Sequence, residues 1–263
     1  MRIRITLLMA LGLVLLLVSP AAAQEGAASV SVVHGIPDTP VDVYVNDELT
    51  LEGFEPGDVA GPLSLPAGTY QFDIRAAGAA AEDDPVISAS APITAGANAS
   101  LVAHLTEAGE PTLTPFANNP GGLADGQGRV TVRHTAAAPA VDILVGGQAA
   151  ITGLTNPNQQ SADLPAGTIS AAVALAGTTE PVLGPADVEI EEGVQTIVYA
   201  IGSAQNSTLD LVVQTVSHSP TGVASGSGGE AASAGFPLWA LALTMGAGLA
   251  AVASSVRLAF ARR

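Results

Sequence analysis

Between two long apolar runs at its ends, the chain alternates. In Thr69-Tyr70-Gln71-Phe72-Asp73-Ile74-Arg75 apolar and polar residues take strict turns, the period of a strand with one buried face. Val41, Val43 and Val45 share one face of a second such run, while Asp42, Tyr44 and Asn46 share the other. Leu65-Pro66-Ala67-Gly68-Thr69 reads as a turn between strands, because Pro presets φ and Gly accepts a positive one. Runs of this kind recur about every 8–12 residues with no long helical period between them, the pattern of a β-sandwich. Pro and Gly are too frequent in this stretch for helices to compete.

The pattern also repeats. Val30-Ser31-Val32-Val33-His34 matches Val130-Thr131-Val132-Arg133-His134, and Val41-Asp42-Val43-Tyr44-Val45 matches Val141-Asp142-Ile143-Leu144-Val145. Leu65-Pro66-Ala67-Gly68-Thr69 returns unchanged as Leu164-Pro165-Ala166-Gly167-Thr168, and Pro85-Val86-Ile87 is echoed by Pro181-Val182-Leu183. Order and spacing are kept, so two tandem domains are expected. The first spans 24–118 and the second 119–216, joined near Asn118-Asn119-Pro120-Gly121-Gly122. The expected fold is all-β, with two Ig-like or transthyretin-like sandwiches.

The two apolar ends predict an address. Residues 1–23 have the three parts of a secretory signal peptide: Arg2 and Arg4, then an uncharged run from Ile5 to Val18, then Ala21-Ala22-Ala23 as a cleavage site. Residues 236–256, Phe236 to Val256, carry no charge; at about 1.5 Å per residue they reach across a bilayer core. Trp239 stands near the outer end of this segment, and Arg257, Arg262 and Arg263 follow it as the tail 257–263. The positive-inside rule puts that tail in the cytoplasm. Residues 217–235 are rich in Gly and Ser, the composition of a flexible tether. The expectation is a single-pass cell-membrane protein with its N-terminal ectodomain outside, and the membrane is its first partner.

Charge narrows the choice of other partners. Net charge is −16, and Lys is absent. Between the apolar ends only Arg75, Arg129 and Arg133 oppose all 24 acidic residues, a field that repels nucleic acid. Cysteine is absent as well, which excludes disulfides, thiolate chemistry and a lipid-modified cysteine anchor.

No motif announces catalysis: there is no Gly-x-Ser-x-Gly elbow and no phosphate loop with its lysine. The repeated His34 and His134 are the most tempting residues. Alternation places His134 on the face of Val130 and Val132, with Thr131, Arg133 and Thr135 facing the other way. A structural histidine bonding a loop carbonyl is the better reading, since His104 and His218 add no zinc-like spacing. Asp42 and Asp142 point away from the core valines and read as loop-organising or solvated carboxylates. Asp38 has no counterpart, because Ala138 takes its place. Glu82-Asp83-Asp84 and Glu189-Ile190-Glu191-Glu192 are acidic clusters without a regular calcium-loop pattern. No catalytic, cofactor-binding or metal-ligating residue is assigned.

The string Val33-His34-Gly35-Ile36-Pro37-Asp38-Thr39-Pro40-Val41-Asp42-Val43-Tyr44-Val45, followed by the Leu-Pro-Ala-Gly-Thr-Tyr turn, resembles the bacterial envelope domain of unknown function 4397. The second repeat departs from that pattern at Ala136-Ala137-Ala138-Pro139 and at Leu144. The resemblance spans roughly 28–216 and implies an envelope location and a fold type, with no activity attached. Architecture by analogy points to a non-enzymatic surface module that binds or presents, with envelope polysaccharide or protein as the candidate partner. A structural spacer or acidic coat component competes with it, and a hydrolase using paired carboxylates is the third class. A contiguous exposed aromatic patch would favour binding, and a uniformly acidic surface the coat.

Overall fold

The computed structural model describes residues 26–80 and 83–217, which contain sixteen β-strands and no helix. The first eight are β1 (Ala28–His34), β2 (Val41–Val45), β3 (Glu48–Phe54), β4 (Val59–Leu65), β5 (Gly68–Ala76), β6 (Ile87–Ile93), β7 (Asn98–Leu105) and β8 (Pro111–Ala117). The second eight are β9 (Gln127–His134), β10 (Val141–Val145), β11 (Gln148–Leu154), β12 (Gln159–Pro165), β13 (Gly167–Leu175), β14 (Pro181–Ile190), β15 (Val194–Ile201) and β16 (Asp210–Ser217). The alternating runs read from the sequence are β2 and β5, and the Leu-Pro-Ala-Gly-Thr turns lie where β4 passes into β5 and β12 into β13.

Four four-stranded sheets result, with orders β4-β1-β7-β8 and β3-β2-β5-β6 in the first half and β12-β9-β15-β16 and β11-β10-β13-β14 in the second. Adding eight to each strand number of the first half reproduces the second, so the sequence repeat is a topological repeat. In each half the first and seventh strands pair in parallel and the other pairs are antiparallel. The first two strands of each half lie in different sheets, unlike the immunoglobulin order in which they share one. Each half therefore needs a crossover loop directly after its first strand: 35–40 after β1 and 135–140 after β9.

Apolar residues from both sheets fill each half. Val32, Val43, Phe54 and Ile74, and beside them Val30, Val45, Phe72 and Leu101, form the first core; Val132, Val141, Ile143 and Val173 form the second. A third apolar cluster belongs to neither. Val33, Val102 and Phe116 of the first half meet Ile197, Tyr199, Val212 and Val216 of the second, so sheet β4-β1-β7-β8 packs on sheet β12-β9-β15-β16. The two repeats belong to one compact unit. Among the described residues no helix is long and apolar enough to cross a membrane. The expected signal peptide, tether, span and tail lie outside the described residues, except that Ser217 is the last residue of β16.

Candidate functional site

Both repeated histidines end the strand that precedes a crossover, and both are buried. His34 Nε2 donates to the Thr39 carbonyl at 2.8 Å and His134 Nε2 to the Pro139 carbonyl at 3.0 Å. A carbonyl only accepts, so the proton sits on Nε2, and Nδ1 of each ring is left buried without a partner. His34 also stacks on Phe54, with ring centroids 5.7 Å apart. Burial pulls both imidazoles below the usual histidine range, with the loop carbonyls pulling weakly the other way. Each ring is thus a neutral pin that fixes a crossover loop. His104 is also buried, between the Leu105 carbonyl at 2.9 Å and Thr114 Oγ1 at 2.8 Å.

Asp42 and Asp142 do the same work one strand later. Asp42 Oδ1 accepts from the Gly53 amide at 2.7 Å and Oδ2 from the Gly78 amide at 3.0 Å. Asp142 takes Gly153 at 2.7 Å and Gly177 at 2.8 Å. The pairing register slips by one residue between Val41 and Val43, and again between Val141 and Ile143, a β-bulge on β3 and on β11. Gly53 and Gly153 stand at those bulges with φ of 61° and 65°. That conformation turns each amide out of the ladder and toward the carboxylate. These carboxylates organise loops, as read from the sequence. The solvated alternative is corrected, because both side chains are buried: the bulge and the loop fold over them.

The acidic clusters are tied into turns rather than gathered. Asp83 Oδ2 accepts from the Ala80 amide at 2.9 Å, and the Asp83 carbonyl accepts from Arg75 Nε at 3.0 Å. Glu192 Oε1 accepts from the Gly126 amide at 2.7 Å. Asp38 is exposed, at φ 62° in the first crossover. Among the described residues no group of three or more His, Asp or Glu is placed to hold a metal ion. Glu82 and His218 lie outside those residues.

The most elaborate polar constellation is one that sequence alternation did not reveal. Thr131, Arg133 and Thr135 do face away from the core of their own sandwich, yet none of the three is exposed. Their face is covered by the first repeat. Arg133 Nη1 donates to Tyr199 Oη at 2.7 Å and Nε to Gln159 Oε1 at 2.8 Å. Its Nη2 crosses to the first repeat, donating to Asn118 Oδ1 at 2.8 Å and the Ala117 carbonyl at 3.1 Å. The guanidinium lies over the rings of Phe116 and Tyr199, 4.7 and 5.3 Å from their centroids. Tyr199 Oη donates to Gln214 Oε1 at 2.6 Å, which also accepts from Ser100 Oγ at 2.9 Å. Asn119 N reaches Gln195 Oε1 at 2.8 Å, and Asn156 Nδ2 reaches the Leu105 carbonyl at 2.8 Å.

Every hydrogen-bond acceptor around Arg133 is neutral, and burial pulls its guanidinium down while Tyr199 opposes the shift. Arginine keeps its proton in proteins, so a cation is held between the repeats by dipoles and ring faces alone. The arrangement fixes one sandwich against the other. The only signal in the sequence is that Arg133 breaks the parallel between the repeats, standing where the first has Val33.

Residues 28–144 match the family described as Domain of unknown function (DUF4397). The matched stretch covers the whole first sandwich and runs through β9 into β10. No curated protein matches the chain. A solved structure, the Bacillus anthracis TIE protein, is similar at 13% identity over 64% of this chain and 32% of that one, with a TM-score of 0.21. The chain thus spans about a third of that protein's length, and so low a score carries no argument about fold or role.

Proposed function

We propose that this chain, which carries a DUF4397 domain over residues 28–144, is a bacterial envelope protein held by one C-terminal membrane helix. Its two repeats act outside the cell as a single rigid, non-enzymatic module. In this reading the second sandwich is a further copy of the same domain, and both are transthyretin-like rather than Ig-like. The repeated strand orders support that assignment.

The observation that carries the functional reading is the interface around Arg133. A buried cation with acceptors from both repeats makes a joint that holds one relative orientation, as presentation of a surface at a fixed geometry requires. The tandem sandwiches would project as one stiff body rather than as two independently moving domains. Between the apolar ends 24 acidic residues face only Arg75, Arg129 and Arg133, an excess that keeps such a body soluble and repels anionic surfaces.

One observation favours the spacer reading over a sugar-binding one. The large hydrophobic residues exposed among the described residues are all aliphatic: Leu49, Val59, Val86, Leu175, Val182 and Val213. None of these supplies an aromatic platform on which a sugar ring stacks, which supports the spacer reading over the sugar-binding one. The experiment is protease treatment of intact cells, following an epitope inside 24–235 and a tag placed after Arg263. Loss of the first with protection of the second is the expected result. Protection of both until lysis would overturn the surface assignment.

A further inference from the structure

The two sandwiches share a topology but not a filling. Strand register makes their positions equivalent one by one. Val45 pairs with Phe72 in the first repeat, and Val145 pairs with Ala171 in the second. Val30 pairs with Leu63, and Val130 with Ala162. Val32 pairs with Leu101, and Val132 with Val198. Three apolar side chains of the first repeat, Phe72, Leu63 and Leu101, are thus smaller in the second, and the largest loss is the ring of Phe72, which is buried against Val30, Val45 and Leu101.

A cavity of about 180 Å³ lies between the sheets of the second sandwich, lined by Ala171, Ala162, Val198 and their neighbours Val130, Ile143 and Leu211. All of its lining side chains are apolar. Ala150, Ala162 and Ala186 belong to this lining, sit on edge strands of the two sheets and are exposed, so the space is reachable from the side of the sandwich. Water gains nothing in such a space, having no polar partner. An apolar cavity of roughly 150 Å³ is already large enough to take benzene from water.

We infer that the second sandwich is a binding site for an apolar group the size of a phenyl ring, seated where the first repeat places its own Phe72. The first repeat defines the occupant: between the equivalent two sheets, where Val30, Val45 and Leu101 stand in place of Val130, Val145 and Val198, a benzene ring packs in the apolar core. A ligand bearing a small aromatic or compact alkyl group supplies from outside what Ala171 withholds. The site rests only on the described strands and is independent of the membrane anchor.

Calorimetric unfolding of the purified full chain, with and without benzene near its aqueous saturation, tests the site. A ligand at tenfold its Kd raises the midpoint of a unit this size by about 3 °C, and that rise is expected for the wild type. Ala171→Phe places the first repeat's ring in the cavity and should abolish the response. If that variant does not fold, Ala162→Leu, which restores the side chain of Leu63, carries the same comparison. A wild-type midpoint that does not move, or a shift of equal size in the filled variant, would overturn the inference.

Discussion

At the scale of single residues, the side chains that matter most are buried polar groups holding backbone in place. Arg133 is the extreme case. Removing it leaves Tyr199 Oη without its donor and Asn118 with one fewer partner, besides opening a hole between Phe116 and Tyr199. Arg133→Ala should therefore cost roughly 2–4 kcal/mol in urea unfolding, the range for stripping one partner from a buried polar network. A cost within the ~0.5 kcal/mol of an ordinary surface substitution would show that the interface does not form. Asp142 holds two amides through one carboxylate, and hydrogen bonds to a charged group contribute about 1.5–3 kcal/mol each. Asp142→Ala should lose at least ~2 kcal/mol, with Asp42→Ala matching it in the first repeat; the same unfolding curves measure both.

The histidine pins give a pH dependence of definite sign. His34, His104 and His134 are buried with imidazoles held below the ordinary value, desolvation being the main cause in each. Below about pH 6.5 the unfolded chain takes up protons that the folded chain refuses. Stability present at neutral pH is therefore lost as pH falls from about 6.5 toward the lower folded values. The melting midpoint should drop more between pH 7.5 and 5 for the wild type than for the His34→Gln/His134→Gln double variant. Equal drops in the two proteins would mean that the pins are not the titrating groups.

At the scale of elements, the strands were legible because period-two alternation is a local signal. The repeat was legible because identical turns recur at nearly constant spacing. The loop-organising role of Asp42 and Asp142 could be read from their place among core valines, but their burial could not, since it depends on a bulge and a distant loop closing over them. Gly53 and Gly153 make that bulge possible. Gly153→Ala should cost about 1–2 kcal/mol, the penalty for a side chain in the left-handed region, and should weaken the Asp142 clamp with it. Thermal melts of Gly153→Ala, Asp142→Ala and the double variant should show costs that are less than additive, because both act on one contact.

The face of β9 carrying Thr131, Arg133 and Thr135 alternates like a solvated strand, and alternation alone cannot tell water from a polar neighbour. That is why the joint between repeats escaped the sequence. The uneven filling of the cores was present in the same repeat alignment, in Phe72 against Ala171, but became interpretable only once register fixed which positions face each other. Filling the second core with Ala171→Phe should also stabilise the protein in the absence of ligand, by on the order of 1–2 kcal/mol.

At the scale of the whole molecule, two repeats joined by a short segment would ordinarily be expected to move as beads on a string. Here equivalent sheets are pressed together, with an apolar cluster of Val33, Val102, Ile197 and Val212 and a polar network that both halves share. This makes one body of two folds, the unity on which the proposed presenting or spacing role rests.

The most direct test of that unity follows the unfolding of each repeat separately within the full chain. Tyr44 and Tyr70 lie in the first sandwich and Tyr199 at the joint on the second, and they are the chain's three tyrosines. Fluorotyrosine labelling therefore gives resolved NMR probes of both halves in one urea titration. The fused body predicts that all three signals change at one midpoint in the wild type and that Arg133→Ala splits them. Separate midpoints for Tyr70 and Tyr199 in the wild type would contradict it, and the two sandwiches would then be independent domains that only touch.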